Sequence, residues 1–96
     1  MFIVVSKWAP DPAKADEWEA VSEGIPAKFR AIPGIEFMHR FINEEGQVVV
    51  MMGYTDKAAY DSLVTDPNGA VAKDMAERNI EAYATWVSSE RGETFD

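Results

Sequence analysis

The stretch EFMHRFINEEGQVVVMMGYTD, residues 36–56, is apolar on both faces of the extended structure it encodes. A hairpin with one wet face alternates apolar and polar residues. Here Val48, Val49, Val50, Met51 and Met52 form an unbroken row opposite a run whose single imidazole is His39. Such a hairpin must be covered on both sides, and few arrangements of 96 residues can do that.

Asn43 and Gly46 occupy the first and fourth positions of the intervening turn, as in a type I turn closed by a left-handed glycine. That turn pairs Asn43 with Gln47 and sets His39 opposite Met51 and Arg40 opposite Val50. One face then carries Ile35, Phe37, His39, Phe41, Val49 and Met51. The other carries Met38, Arg40, Ile42, Val48, Val50, Met52 and Tyr54.

The opening MFIVVSKW is rich in β-branched and aromatic residues and reads as a strand that begins at once, without the basic head and long apolar stretch of a signal peptide. Asp11-Pro12 starts a helix: the aspartate accepts from free first-turn amides, and proline loses nothing by lacking one. Trp18, Val21, Ile25, Phe29 and Ile32 follow at helical spacing, with a kink expected at residues 22–26 because of Gly24 and Pro26. After the hairpin, Thr55 or Asp56 caps a second helix, which Asp66-Pro67 interrupts and restarts and which runs on through Val71, Met75, Ile80 and Tyr83. In the tail, Thr85, Val87 and Ser89 alternate with Trp86 and Ser88, the pattern of an edge strand; a helix continuing to about residue 88 is the competing reading.

The resulting order, β-α-β-β-α-β over residues 1–96, is a single ferredoxin-like α+β domain with an antiparallel sheet and both helices on one face. The uncovered face keeps several apolar side chains, each stabilising by roughly 1.5–3 kcal/mol when buried. The simplest cover is a second copy, sheet against sheet. The face expected in that seam carries Met38, Arg40, Val48, Val50 and Met52, with Trp86 packing beside it.

Composition narrows the function. Seventeen acids against 9 bases give a net charge of −8, the wrong sign for a phosphate backbone. No apolar run approaches the ~20 residues of a membrane span. The absence of cysteine excludes disulfides and thiolate chemistry and is compatible with a cytoplasmic address. A single histidine makes no metal site alone, so neither metal nor other cofactor is expected. The chain carries no phosphate loop, nucleophile elbow or zinc-protease helix.

Four passages, MFIVVSKW, the helix ending in IPGIEF, VVVMMGYTD and TDKAAYDSL, together resemble the dimeric α/β-barrel superfamily and, within it, the antibiotic-biosynthesis-monooxygenase-like proteins. Tyr54 stands where that family often has tryptophan. The resemblance implies two ferredoxin-like subunits with a pocket between helices and sheet in each. Members of that family oxygenate polyphenols with O2 alone, degrade haem, isomerise or cyclise small molecules, or have no assigned activity, and the resemblance implies one of these. Haem degraders carry an axial histidine on the second helix; residues 70–80 here read AVAKDMAERNI, without one.

His39 is the candidate general base, with the packed strand histidine as its alternative. Trp18, Phe37, Met51, Tyr54, Tyr60, Asn79 and Tyr83 are the candidate lining of a pocket for a flat ligand, or equally core and helix-end residues. Arg40 either binds an acidic ligand or pairs with Glu36 across the dimer seam, the second being preferred. Two functions follow: a cofactor-free monooxygenase-like enzyme for an aromatic or polyketide-like substrate, or a non-catalytic ligand-binding or stress-response dimer.

Overall fold

In the computed structural model, which describes residues 1–95, four strands form one antiparallel sheet. These are β1 (Phe2–Pro10), β2 (Ile35–Ile42), β3 (Val48–Tyr54) and β4 (Ala84–Glu93), in the spatial order β2-β3-β1-β4. Helices α1 (Ala15–Ser22) and α2 (Ile25–Arg30) connect β1 to β2; α3 (Lys57–Tyr60) and α4 (Ala70–Arg78) connect β3 to β4. This is the ferredoxin-like layout, with the tail as an edge strand.

The hairpin register is the expected one: His39 opposes Met51, Arg40 opposes Val50, and the Asn43 amide donates to the Gln47 carbonyl at 3.0 Å. Two bulges change which side chains share a face. Glu36 is the extra residue between the Ile35–Tyr54 and Phe37–Gly53 pairs, so Ile35 turns away from Phe37 and His39 into the core. In β4, Val87 is the extra residue between the Lys7–Ser88 and Trp8–Trp86 pairs, which turns Trp86 to the side of Ser89 and Trp8.

The expected kink is a full break. Gly24, at φ 79°, takes a left-handed conformation that a residue with a Cβ adopts only under strain, and α2 restarts with Pro26 in its first turn. Asp56 caps α3 by accepting from the Ala59 amide at 2.8 Å. A π-helical turn over Asp61–Thr65 follows, and Asp66-Pro67 forms a turn rather than the restart of the helix. The restart comes at Gly69, whose missing Cβ would fall on the Leu63 and Ser62 carbonyls.

The helices cover the face carrying Phe2, Met38, Met52 and Tyr54, which form the core with Ile25, Phe29, Ile35, Val71 and Ile80. The seam expected from Met38, Arg40, Val48, Val50, Met52 and Trp86 is therefore corrected. That face lies under this chain's own helices, and the uncovered one bears Ile3, Val5, Phe37, His39, Phe41 and Met51. Both faces of the hairpin are apolar, so its pattern does not distinguish them. The path of the chain does: the helices that connect β1 to the parallel β2 pack Ile25 and Phe29 on the Met38 and Met52 face.

A buried carboxylate ties the helices together. Asp74, 4% exposed, accepts from Lys28 Nζ of α2 and from Arg78 Nε at 2.8 Å. Arg78 Nη1 also donates to the Val21 and Glu23 carbonyls at 3.0 and 2.9 Å, satisfying the end of α1.

Candidate functional site

Between the helices and the sheet lies a cavity of about 260 Å³. Val4, Ser6, Val50 and Met52 make its floor on the central strands. Trp18, Ile25 and Phe29 from the first helical segment and Val71 and Met75 from α4 make its roof. Trp8 and Trp86 also line it, so all three tryptophans of the chain do.

The polar groups in this apolar wall are few. Ser6, Ser22 and Ser89 contribute hydroxyls, Tyr54 and Tyr60 phenols, and Arg40 and Arg91 guanidinium groups. Among the described residues no carboxylate, imidazole or lysine lines it. Tyr54 is 2% exposed, and its hydroxyl donates to the Met52 sulfur at 3.4 Å. Burial, and after it the neighbouring Tyr60, push the Tyr54 phenol well above its ordinary pKa, so it stays a neutral donor. Tyr60 packs against both Phe2 and Tyr54, with ring centroids 5.1 and 5.3 Å away. Arg91 Nη1 donates to its phenolic oxygen at 3.1 Å. Because that oxygen accepts from arginine, the Tyr60 proton is free to donate elsewhere.

Of the residues expected to line a pocket, Trp18, Tyr54 and Tyr60 do so. Phe37 and Met51 lie on the uncovered face, where the pleat also carries His39 away from the cavity; its ring stacks on Phe37 with centroids 5.7 Å apart. Asn79 is the left-handed cap of α4, at φ 54°. Tyr83 packs under the Lys14 ammonium, 5.9 Å from the ring centroid. The residues assigned to a dimer seam, Met38, Arg40, Val48, Val50, Met52 and Trp86, line the cavity instead.

Sequence reasoning missed Trp8, Phe29, Ser89 and Arg91 as cavity residues. The signal for Ser89 and Arg91 lies in the antiparallel pairing of β4 with β1, which sets them opposite Ser6 and Val4. Among the described residues, no three His, Asp or Glu side chains gather where they can hold a metal ion. No helix there is long and apolar enough to cross a membrane.

No protein-family model matches the chain, and no curated protein matches it in sequence. Solved structures do. A crystal structure of an antibiotic biosynthesis monooxygenase superposes over 100% of both chains with a TM-score of 0.78 and 16% identity. Rv0793 from Mycobacterium tuberculosis gives a TM-score of 0.77 at 15% identity, over 99% of this chain and 95% of that one. SnoaB, a cofactor-independent oxygenase from Streptomyces nogalater whose structure is that of a mutant, gives 0.67 at 20% identity, over 95% and 87%.

The chain has the antibiotic-biosynthesis-monooxygenase fold. The likeness runs the whole length of the sheet and helix layer, so the resemblance carried by MFIVVSKW and VVVMMGYTD holds at the level of fold. Identities of 15–20% speak for that fold alone, not for a shared reaction.

Proposed function

We propose that the chain binds a flat aromatic or polyketide-like molecule in this cavity and oxygenates it with O2 and no cofactor, acting as a homodimer. The observation that carries the reading is the cavity itself: apolar, walled by Trp8, Trp18 and Trp86, with the Tyr60 hydroxyl presented by Arg91. At about 260 Å³ it is slightly smaller than most small-molecule sites, which run from roughly 300 to 1,000 Å³, and suits a compact ligand. SnoaB, which shares the fold, is a cofactor-independent oxygenase, and this supports the choice of reaction class.

In such a reaction the substrate supplies the electrons. With no base among the described residues lining the cavity, an acidic CH2 flanked by aromatic rings gives up its proton to solvent before the anion enters. The carbanion then reduces O2 and combines with it as a peroxide, which takes its proton from Tyr60, itself re-protonated from solvent. Loss of water leaves a ketone, so CH2 and O2 become C=O and H2O. The protein contributes a dry volume, the Tyr60 proton for the peroxide oxygen, and the Arg91 charge that keeps Tyr60 oriented. His39 faces away from the cavity and has no part in this scheme.

The dimer uses the uncovered face, which Ile3, Val5, Phe37 and Met51 share with His39 and where Phe41 stays 50% exposed. A non-catalytic ligand-binding dimer is the second reading, and what favours it is the lack of any carboxylate, imidazole or lysine in the wall. Oxygen uptake with a panel of anthrones and quinols separates the two. Consumption above the buffer rate, with one ketone formed per O2, is expected; no consumption with any of them overturns the oxygenase and leaves the binding dimer.

A further inference from the structure

We infer that the ligand of this cavity enters as an anion, an aromatic bearing a carboxylate or a comparably acidic enol, and that Arg40 reads its charge. The inference rests on the cavity being the ligand site, as proposed above, and adds the class of molecule it takes.

The charge of the wall is opposite to that of the chain. The protein carries −8 overall, yet the only charged groups among the described residues lining the cavity are two guanidinium groups. Arg91 is engaged with the Tyr60 oxygen. Arg40 is not comparably engaged. Its Nη1 makes one long bond, 3.3 Å, to the Ser22 carbonyl, and among the described residues it has no carboxylate partner. A guanidinium presents five N–H donors, so most of its donors are left for a ligand.

Its surroundings make an anion welcome. Burial, and then the like charge of Arg30, pull the Arg40 pKa below its ordinary value. Arg30 cannot help, because both its Nε and Nη2 are committed to the Met38 carbonyl at 3.1 and 2.7 Å. A carboxylate docking on Arg40 would relieve both penalties and form a bidentate pair. Asp16, Glu19 and Glu23 line a groove on the outer side of Arg40 and repel an anion there. The anion therefore meets Arg40 from the cavity side, which holds no carboxylate.

The floor continues the same polarity. Arg40 pairs with Val50, Val50 with Ser6, and Ser6 with Ser89, so one row across the sheet carries a guanidinium and two hydroxyls on the cavity face. A planar molecule whose oxygens run along one edge, ending in an acid, matches that row.

The three tryptophans of the wall report occupancy directly, so the test needs no turnover. Tryptophan quenching is titrated with 2-naphthoate and with 2-naphthamide, equal in shape and differing in charge. Wild-type protein is expected to bind the naphthoate at least about tenfold more tightly at neutral pH and low salt, as a charge-assisted hydrogen bond predicts. Arg40→Gln should erase that preference while leaving the naphthamide affinity within about twofold, and Arg40→Lys should restore part of it. Equal affinities in the wild type overturn the inference without any variant. So does a preference that survives Arg40→Gln, or one lost only in Arg91→Gln. Quenching by neither probe removes the cavity as a ligand site and takes both proposals with it. Failure to consume oxygen, with the naphthoate preference intact, removes only the oxygenase.

Discussion

Arg91 on the edge strand β4 and Tyr60 at the end of α3 meet at 3.1 Å over the cavity, 31 residues apart in the chain. The contact joins the last strand to the second helical segment. It leaves the Tyr60 hydroxyl with one acceptor position filled and its proton unassigned. Tyr60→Phe keeps the ring that packs on Phe2 and Tyr54 and removes only the oxygen. Under the proposed reaction it should lower the oxygen-uptake rate by about 10²–10³, as the loss of one preorganised donor does. The melting temperature should stay within a few degrees. An unchanged rate would remove Tyr60 from the chemistry.

His39→Ala should leave both naphthoate binding and oxygen uptake within about twofold of wild type, because the imidazole lies on the opposite face of the sheet, stacked on Phe37. A loss of about 10² or more, the scale of general-base catalysis, would contradict that placement.

Met51 lies in the middle of the uncovered face, opposite His39 on one side and Val5 on the other. Sedimentation should find wild-type protein dimeric at micromolar concentration. Met51→Asp should be monomeric, since it places an unpaired charge in the seam, and its tryptophan environment should be preserved. A monomeric wild type would sink the sheet-to-sheet dimer. Val50→Asp strikes the cavity floor instead and should damage ligand binding.

Asp74 makes stability depend on acid. Burial alone would raise its pKa, but the hydrogen bonds from Lys28 and Arg78 outweigh that and hold it below the ordinary carboxylate value. A carboxyl depressed in the fold contributes stability above its unfolded pKa, about 3.9, and loses it as pH falls through the folded value. Urea unfolding between about pH 2 and pH 6 should show that loss. Asp74→Asn should lower stability at neutral pH by about 1–3 kcal/mol and flatten the acid limb. An acid limb identical to wild type would assign the pH dependence to other carboxylates.

Gly69→Ala drives a Cβ against the Leu63 and Ser62 backbone, which cannot rotate away. It should destabilise by about 1–3 kcal/mol, the range of overpacking, whereas Gly92→Ala, with nothing near its added Cβ, should shift stability by no more than about 0.5 kcal/mol. Equal melting temperatures for the two variants would show that the π-helical turn yields.

What the sequence determined by itself was local. The Asn43–Gly46 turn sets the hairpin register, Asp11 and Asp56 cap their helices, and Gly24 with Pro26 breaks the first one, because each acts through bonds and clashes within a few residues. The element order follows from these and implies the ferredoxin-like fold. Only the tertiary structure decided which face of the doubly apolar hairpin the helices cover, since two apolar faces are equivalent until the connecting helices pack on one of them. That choice moved Met38, Arg40 and Val50 into the cavity wall and His39, Phe37 and Met51 out of it. Likewise only strand pairing across the sheet revealed the bulges at Glu36 and Val87, which turn Ile35 into the core and Trp86 to the cavity face. A bulge shifts the two-residue period by one, and nothing in the local alternation of side chains announces it.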